Sequence, residues 1–143
     1  MSTENNKLLV RRLYDEVLNL QQPDTVAELA TPDYVEHDPL PGQGDGRSGL
    51  AERVRMLISA FAPRFEIHDL LAEGDRVVVR WTNTGTHVGA FAGIPPTGRS
   101  FQIPGIDIYR VENAHLAEHW HVIDQLALLQ QLGVLPTFDN TSA

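Results

Sequence analysis

"FQIPGIDIYRVENAHLAEHWHVI", residues 101–123, decides the architecture. Two runs rich in Ile, Val, Tyr and Trp flank "ENA" at 112–114, the pattern of two antiparallel strands joined by a turn. Side chains alternate along a strand, so Asp107, Tyr109 and Val111 share one face of the first run, and Ile106 and Ile108 the other. On the second run His119 and His121 oppose Leu116, Trp120 and Val122. Each run thus has an ionisable face and an apolar face. If like faces agree across the hairpin, Asp107, Tyr109, His119 and His121 meet in one place. Such a cluster belongs either in water or in a cavity. Pro104–Gly105 predicts a bulge or bend in the first strand.

Upstream, Leu9, Leu13, Val17 and Leu20 recur at three- and four-residue spacing, an amphipathic helix over 3–20. Thr25 and Glu28 have capping-box spacing for a short second helix. "TPDYVEHDPLPGQGDGRSG" (31–49) reads as a long loop around a short extended piece at 34–37. A third helix follows from about Ser48, its face made by Leu50, Val54, Leu57, Ile58 and Phe61, and Pro63 ends it. The period then shifts to strands at 65–67 and 76–86, turning at "EGD" (73–75), with a Gly/Pro-rich excursion over 87–100. Asp124 is placed to cap a final helix that stops at Gly133. Three helices, an antiparallel meander and a terminal helix predict an α+β domain with helices on one face of a curved sheet. That domain is expected over 1–136, with a flexible tail at 137–143.

The chain has 143 residues, 42% of them hydrophobic, enough for one core. It has no cysteine, which excludes disulfides, thiolate metal sites and a cysteine nucleophile. A net charge of −8 opposes binding to nucleic acid or anionic lipid, and Arg11/Arg12 and Arg53/Arg55 are isolated pairs on helices. No apolar run approaches the ~20 residues of a membrane span, and "MSTENNK" lacks a signal-peptide core. The expectation is a cytoplasmic protein with a small-molecule or protein partner.

"YVEHDP" (34–39), "GRSGL" (46–50), "GIPPTGRSF" (93–101), "IDIYRVEN" (106–113), "AEHWHVID" (117–124) and "LQQLGVLP" (129–136) resemble the SnoaL-like polyketide cyclase family, within the nuclear-transport-factor-2-like group. The resemblance runs from the first helix to the last. It implies a cone-shaped barrel: a strongly bent sheet around a cavity closed by helices. It also implies intramolecular aldol ring closure of a polyketide ester, with no metal, cofactor or covalent intermediate. The family's stretch often reads His-Trp-Asp, that aspartate lying near the reacting carbon as acid–base. Here the position holds His121, and the role falls to His121 or Asp124.

Aldol chemistry needs a base for a carbon-bound proton and an acid for the attacked carbonyl oxygen. An imidazole, with pKa ~6.5, can serve as either at neutral pH. In this scheme His121 or Asp124 is acid and base, Asp107 orients, His119 is a second donor, and His37 enters from the loop after helix two. Tyr34, Phe61 and Trp81 are candidates for an apolar wall, joined by Tyr109 and Trp120, although aromatic residues more often pack than react. Structural readings stand beside these. The histidines can face water, Asp124 can be only an N-cap, Asp107 can bridge to Arg80, and His37 can stiffen a turn. His115, His119 and His121 spread over ~20 Å of strand at ~3.3 Å per residue, too far for one metal ion.

Three competing functions remain: an apolar-ligand-binding module, an epoxide hydrolase and a steroid-isomerase-like proton shuttle. The epoxide hydrolase ranks lower because Gly105 stands where those relatives place arginine, two positions before Asp107. An outer apolar patch of Ile106, Ile108, Trp120 and Val122 predicts a homodimer or higher oligomer.

Overall fold

The computed structural model describes residues 2–137, so the tail expected from 137 lies almost wholly outside the described residues. Helix α1 (Thr3–Arg12) starts where the Ser2 hydroxyl accepts the Asn5 N–H at 3.0 Å. The single helix expected over 3–20 is split, because Leu13–Asn19 continues as a π-helix. Its wider turn sets Leu13, Tyr14, Val17 and Leu18 all into the core. A 3-10 turn (Pro23–Thr25) leads into the four-residue α2 (Val26–Leu29). Thr25 makes no side-chain cap despite its spacing. Its backbone is already helical, whereas a capping residue must be extended to reach back.

Strand β1 (Ala30–Glu36) replaces the short extended piece, and α3 (Gly46–Phe61) follows. The remaining elements are β2 (Arg64–Glu73), β3 (Arg76–Thr86), β4 (Ser100–Glu112), β5 (His115–Ile123) and α4 (Gln125–Gln131). The sheet order is β1-β5-β4-β3-β2. Four strands form the expected meander, but β1 runs parallel to β5, with Val35 beside Glu118 and Glu36 beside His119. A parallel pair needs a long crossover, which here is the whole stretch from α3 to β4.

The inner face of the sheet buries Val77, Val79 and Trp81 of β3 and Tyr109 and Val111 of β4 against Val10, Tyr14 and Val17. A second cluster packs α4 residues Leu128 and Leu132 on Phe61, Phe101 and Ile103. The outer face leaves Ile106, Ile108 and Val122 exposed, with Ile106 beside Val122. Among the described residues no helix is long and apolar enough to cross a membrane.

Two expectations about the hairpin are corrected. Pairing of β3 with β4 runs unbroken from Arg76–Arg110 to Thr86–Ser100, so Pro104–Gly105 makes no bulge. The irregularity lies on β5, where Val111 pairs with Leu116 but Arg110 with Glu118. The extra residue, Ala117, turns Leu116 inward, where it is fully buried rather than on the outer face.

Gly105 serves packing instead: a Cβ there would overlap the six-membered ring of Trp81, which lies across the backbone. Gly105→Ala is expected to cost ~1–3 kcal/mol of stability, as overpacking does. An unaltered midpoint in thermal unfolding would show that Trp81 is free to move aside.

Candidate active site

The hairpin register sets Asp107 opposite His121 and Tyr109 opposite His119, all toward the inside of the sheet. His119, 3% exposed, lies between two carboxylates. Its Nδ1 is 2.7 Å from Glu36 Oε2 and its Nε2 2.8 Å from Asp107 Oδ1. A neutral imidazole has one N–H and one lone pair, so it would turn that lone pair on one carboxylate. Two carboxylate partners require an imidazolium donating from both nitrogens. Burial pushes the His119 pKa down, but the Asp107 charge and the bonds to Asp107 and Glu36 outweigh it and hold it raised.

Asp107 is fully engaged. Besides His119 it accepts Trp81 Nε1–H at 2.6 Å and the Tyr14 hydroxyl. Tyr14 donates to Asp107, so Tyr109, 2.9 Å away, donates to Tyr14. Burial raises the Asp107 pKa, yet His119 and these donors leave it lowered. Glu36 behaves likewise: burial raises its pKa, and the bond to His119, the charge of His119 and Arg53 bring it below the usual range. Burial, then the Asp107 charge, hold the hydroxyls of Tyr14 and Tyr109 protonated.

His121 differs. Arg53 Nη2 lies 2.9 Å from its Nδ1, and a guanidinium only donates, so Nδ1 is the acceptor and the ring is neutral with its proton on Nε2. Burial, then the charges of Arg53 and His119, lower its pKa. Arg53 Nη1 also stands 3.6 Å from Glu36 Oε1. Glu36, Asp107, His119 and Arg53 therefore sum to zero charge around a neutral His121. One donor atom each from Glu36, His119 and His121 lie within 4.8 Å of one another, a set that could ligate a divalent ion. The Arg53 guanidinium already holds two of the three, so cationic charge at this point comes from the chain itself.

These groups form the polar end of a cavity of about 610 Å³, the size of a small-molecule site. Phe61, Phe65, Trp81, Phe101, Ile103 and Leu128 line the rest. The structure brings Asp107, Tyr109, His119, His121, Phe61 and Trp81 to one cavity. His37 stands at the rim, its ring stacked 4.6 Å from Trp120. Trp120 itself lies on the outer face under the Arg76 guanidinium, and so is not part of the wall. Tyr34 is buried behind Glu36, 3.5 Å from its carboxylate, and does not line the cavity. Asp124 is exposed, caps α4 through Ala127 N–H at 3.0 Å and does not line the cavity. Arg80 pairs with Asp69, not with Asp107.

The sequence reading missed Tyr14, Glu36, Arg53 and Asn83, all of which line or support the cavity. For Arg53 a signal existed: it lies three residues after Leu50 and four before Leu57, on the helix face that packs inward. Glu36 had none, since only the parallel pairing of β1 with β5 brings it beside His119.

These assignments fix how stability responds to pH. The contribution of His119, whose pKa is raised, is complete below the ordinary value of 6.5 and drains away as pH rises through the folded value. Those of Glu36 and Asp107 are complete above 4.5 and 3.8 and are lost as pH falls through their lowered values. His121, held below 6.5, opposes His119 by favouring the fold more as pH rises toward that value. In a nitrogen-detected NMR titration His119 should keep both protons above pH 6.5 while His121 has lost one below it. Coincident titration of the two rings would contradict the charge assignment.

The family model for SnoaL-like polyketide cyclase matches residues 8–132. Aklanonic acid methyl ester cyclase DnrD of Streptomyces peucetius is 31% identical over 140 residues, covering 93% of this chain and 92% of that protein. Nogalonic acid methyl ester cyclase of Streptomyces nogalater is 28% identical over 118 residues, covering 80% and 88%. The structure of TsrD from Streptomyces laurentii superposes with a TM-score of 0.85 at 30% identity, covering 94% of this chain and 99% of that one. The match reaches all five strands and both sides of the cavity, and the chain belongs to the SnoaL-like polyketide cyclase family.

Proposed function

We propose that this chain catalyses an intramolecular aldol ring closure on a small, mostly apolar polyketide-type carbonyl compound, by acid–base chemistry and without metal or cofactor. The observation that carries the reading is the neutral His121, facing the cavity beside an arginine and a histidine whose pKa is held raised. A substrate carbonyl that takes over the N–H groups of Arg53 frees the Nδ1 lone pair of His121. The guanidinium then stabilises the enolate oxygen, while the imidazole accepts the proton from the carbon between two carbonyls. That carbon bonds to the carbon of a third, more distant carbonyl in the same molecule, and the resulting alkoxide takes the proton back from the imidazolium. One C–H bond and one carbonyl π bond are lost, one C–C and one O–H bond form, and no atom leaves. His119, Asp107, Tyr14 and Tyr109 position His121 and exclude water.

A binding module without turnover is favoured by one observation: the His121 lone pair is already occupied by Arg53. Incubation with aklanonic acid methyl ester, followed by mass spectrometry in deuterated water, separates the two readings. A ring-closed isomer lost in His121→Phe supports catalysis, whereas recovery of unchanged ester supports binding alone. The acid limb of kcat/KM should lie below pH 6.5 and move up in Arg53→Gln, because removing the cation relieves the depressed His121 pKa. An acid limb that stays in place in Arg53→Gln excludes His121 as the base.

We place this chemistry in the cytoplasm and in a homodimer joined through the outer face of β4 and β5. Ile106, Ile108 and Val122 cluster there, Val122 being 76% exposed. Light scattering should give twice the 15.9 kDa chain mass, reduced to one chain in Val122→Glu. A wild-type monomer at micromolar concentration would remove the dimer.

A further inference from the structure

Asn83 lies on the inner face of β3, is 5% exposed and lines the cavity. Its cross-strand neighbours are Phe65 on β2 and Ile103 on β4, and Phe61 and Phe101 complete an apolar surround. Its side-chain oxygen is buried with no hydrogen-bond partner among the described residues. Buried amides are almost always paired, because water lost on burial must be replaced. Among the described residues three other buried side-chain atoms share this state, on Thr31, Gln43 and His87, and none of those residues lines the cavity. Asparagine is also a poor strand former, so the local sequence "RWTNTGT" gives no reason for it.

Position along the sheet says what Asn83 faces. It pairs with Ile103, while Val79 pairs with Asp107, four residues further along both strands. At ~3.3 Å per residue this is ~13 Å from the row that holds Asp107 and His121. The cavity thus has a reacting end and, across an aromatic middle, a single unsatisfied amide. An unpartnered carbonyl oxygen needs a donor, and a hydroxyl satisfies either edge of the amide because it both donates and accepts.

We infer that Asn83 is a specificity-determining residue that anchors a free hydroxyl on the ring system of the substrate, at the end remote from the closing ring. The inference rests on the reading of the cavity as a substrate site. It assigns the substrate to flat aromatic compounds with an unalkylated phenolic group, and it ranks ethers and unsubstituted rings as poor ligands.

The test uses 2-hydroxyanthraquinone and its methyl ether, with binding followed by calorimetry. The wild-type chain should bind the hydroxy compound at least tenfold more tightly. Asn83→Leu, and the smaller Asn83→Val should leucine crowd Phe65 and Ile103, should bring that ratio below about threefold. Both should unfold at a higher temperature than wild type, since an unpaired buried amide has been removed. His121→Phe should retain the full preference. A wild-type chain that binds both compounds equally, or variants that keep its ratio, overturns the anchor while leaving the ring-closure chemistry intact. Binding of neither compound overturns both the anchor and the cavity reading. Preference without any ring-closed product leaves the anchor and removes the cyclase.

Discussion

An imidazolium held between two buried carboxylates is the constraint on which the site depends. Taking the charges of Glu36, His119 and Asp107 out of water is costly, and only close, multiply bonded geometry offsets that cost. The geometry requires β1, β5 and β4 to meet in one register. Asp107 extends it through Trp81 to β3 and through Tyr14 to the π-helix. The local shape of the N-terminal helix follows from this: the π turn sets Tyr14 and Leu18 together toward the cavity. A cluster of this kind tolerates little movement, since any partner that withdraws leaves an uncompensated buried charge.

Rigidity of that cluster determines the character of its neighbour. His119 and His121 are alike in sequence, two residues apart on one strand face, with ring centroids 5.3 Å apart. They are driven to opposite protonation states by what meets them: carboxylates around the first, a guanidinium against the second. Two titratable groups pushed apart in this way divide the work of an acid–base site. In the proposed reaction the charged ring organises, and the neutral ring exchanges protons.

Much of this was legible in the sequence wherever the signal was local. Alternation over 101–123 brings out the hairpin, and its inner face holds Asp107, Tyr109, His119 and His121 as the period requires. What could not be read was non-local. "TPDYVE" has no clean alternation, so neither the length of β1 nor its parallel seat beside β5 was visible, and Glu36 was lost with them. Arg53 reads in the sequence as one of an isolated basic pair on a helix, although its helical spacing points inward. The extra residue at Ala117 leaves no mark on composition, yet it moved Leu116 from one face to the other. Asp124 shows the opposite case: its capping position was plain from sequence, and capping is the role the structure shows.

The physical consequence of a histidine at 121 is clearest against a carboxylate in the same place. Glu36, Asp107, His119 and Arg53 already balance, so a carboxylate at 121 would add one net negative charge. It would lie against Arg53, and that pairing would depress its pKa and weaken it as a base. An imidazole in the same place stays neutral, and Arg53 can turn to a substrate oxygen without abandoning an anion. In the proposed reaction the cation is thereby available to the enolate at the moment its charge develops, which is when an electrostatic contact lowers a barrier. In the proposed reaction a histidine rather than a carboxylate at 121 therefore changes how the charge is distributed between the protein and the transition state.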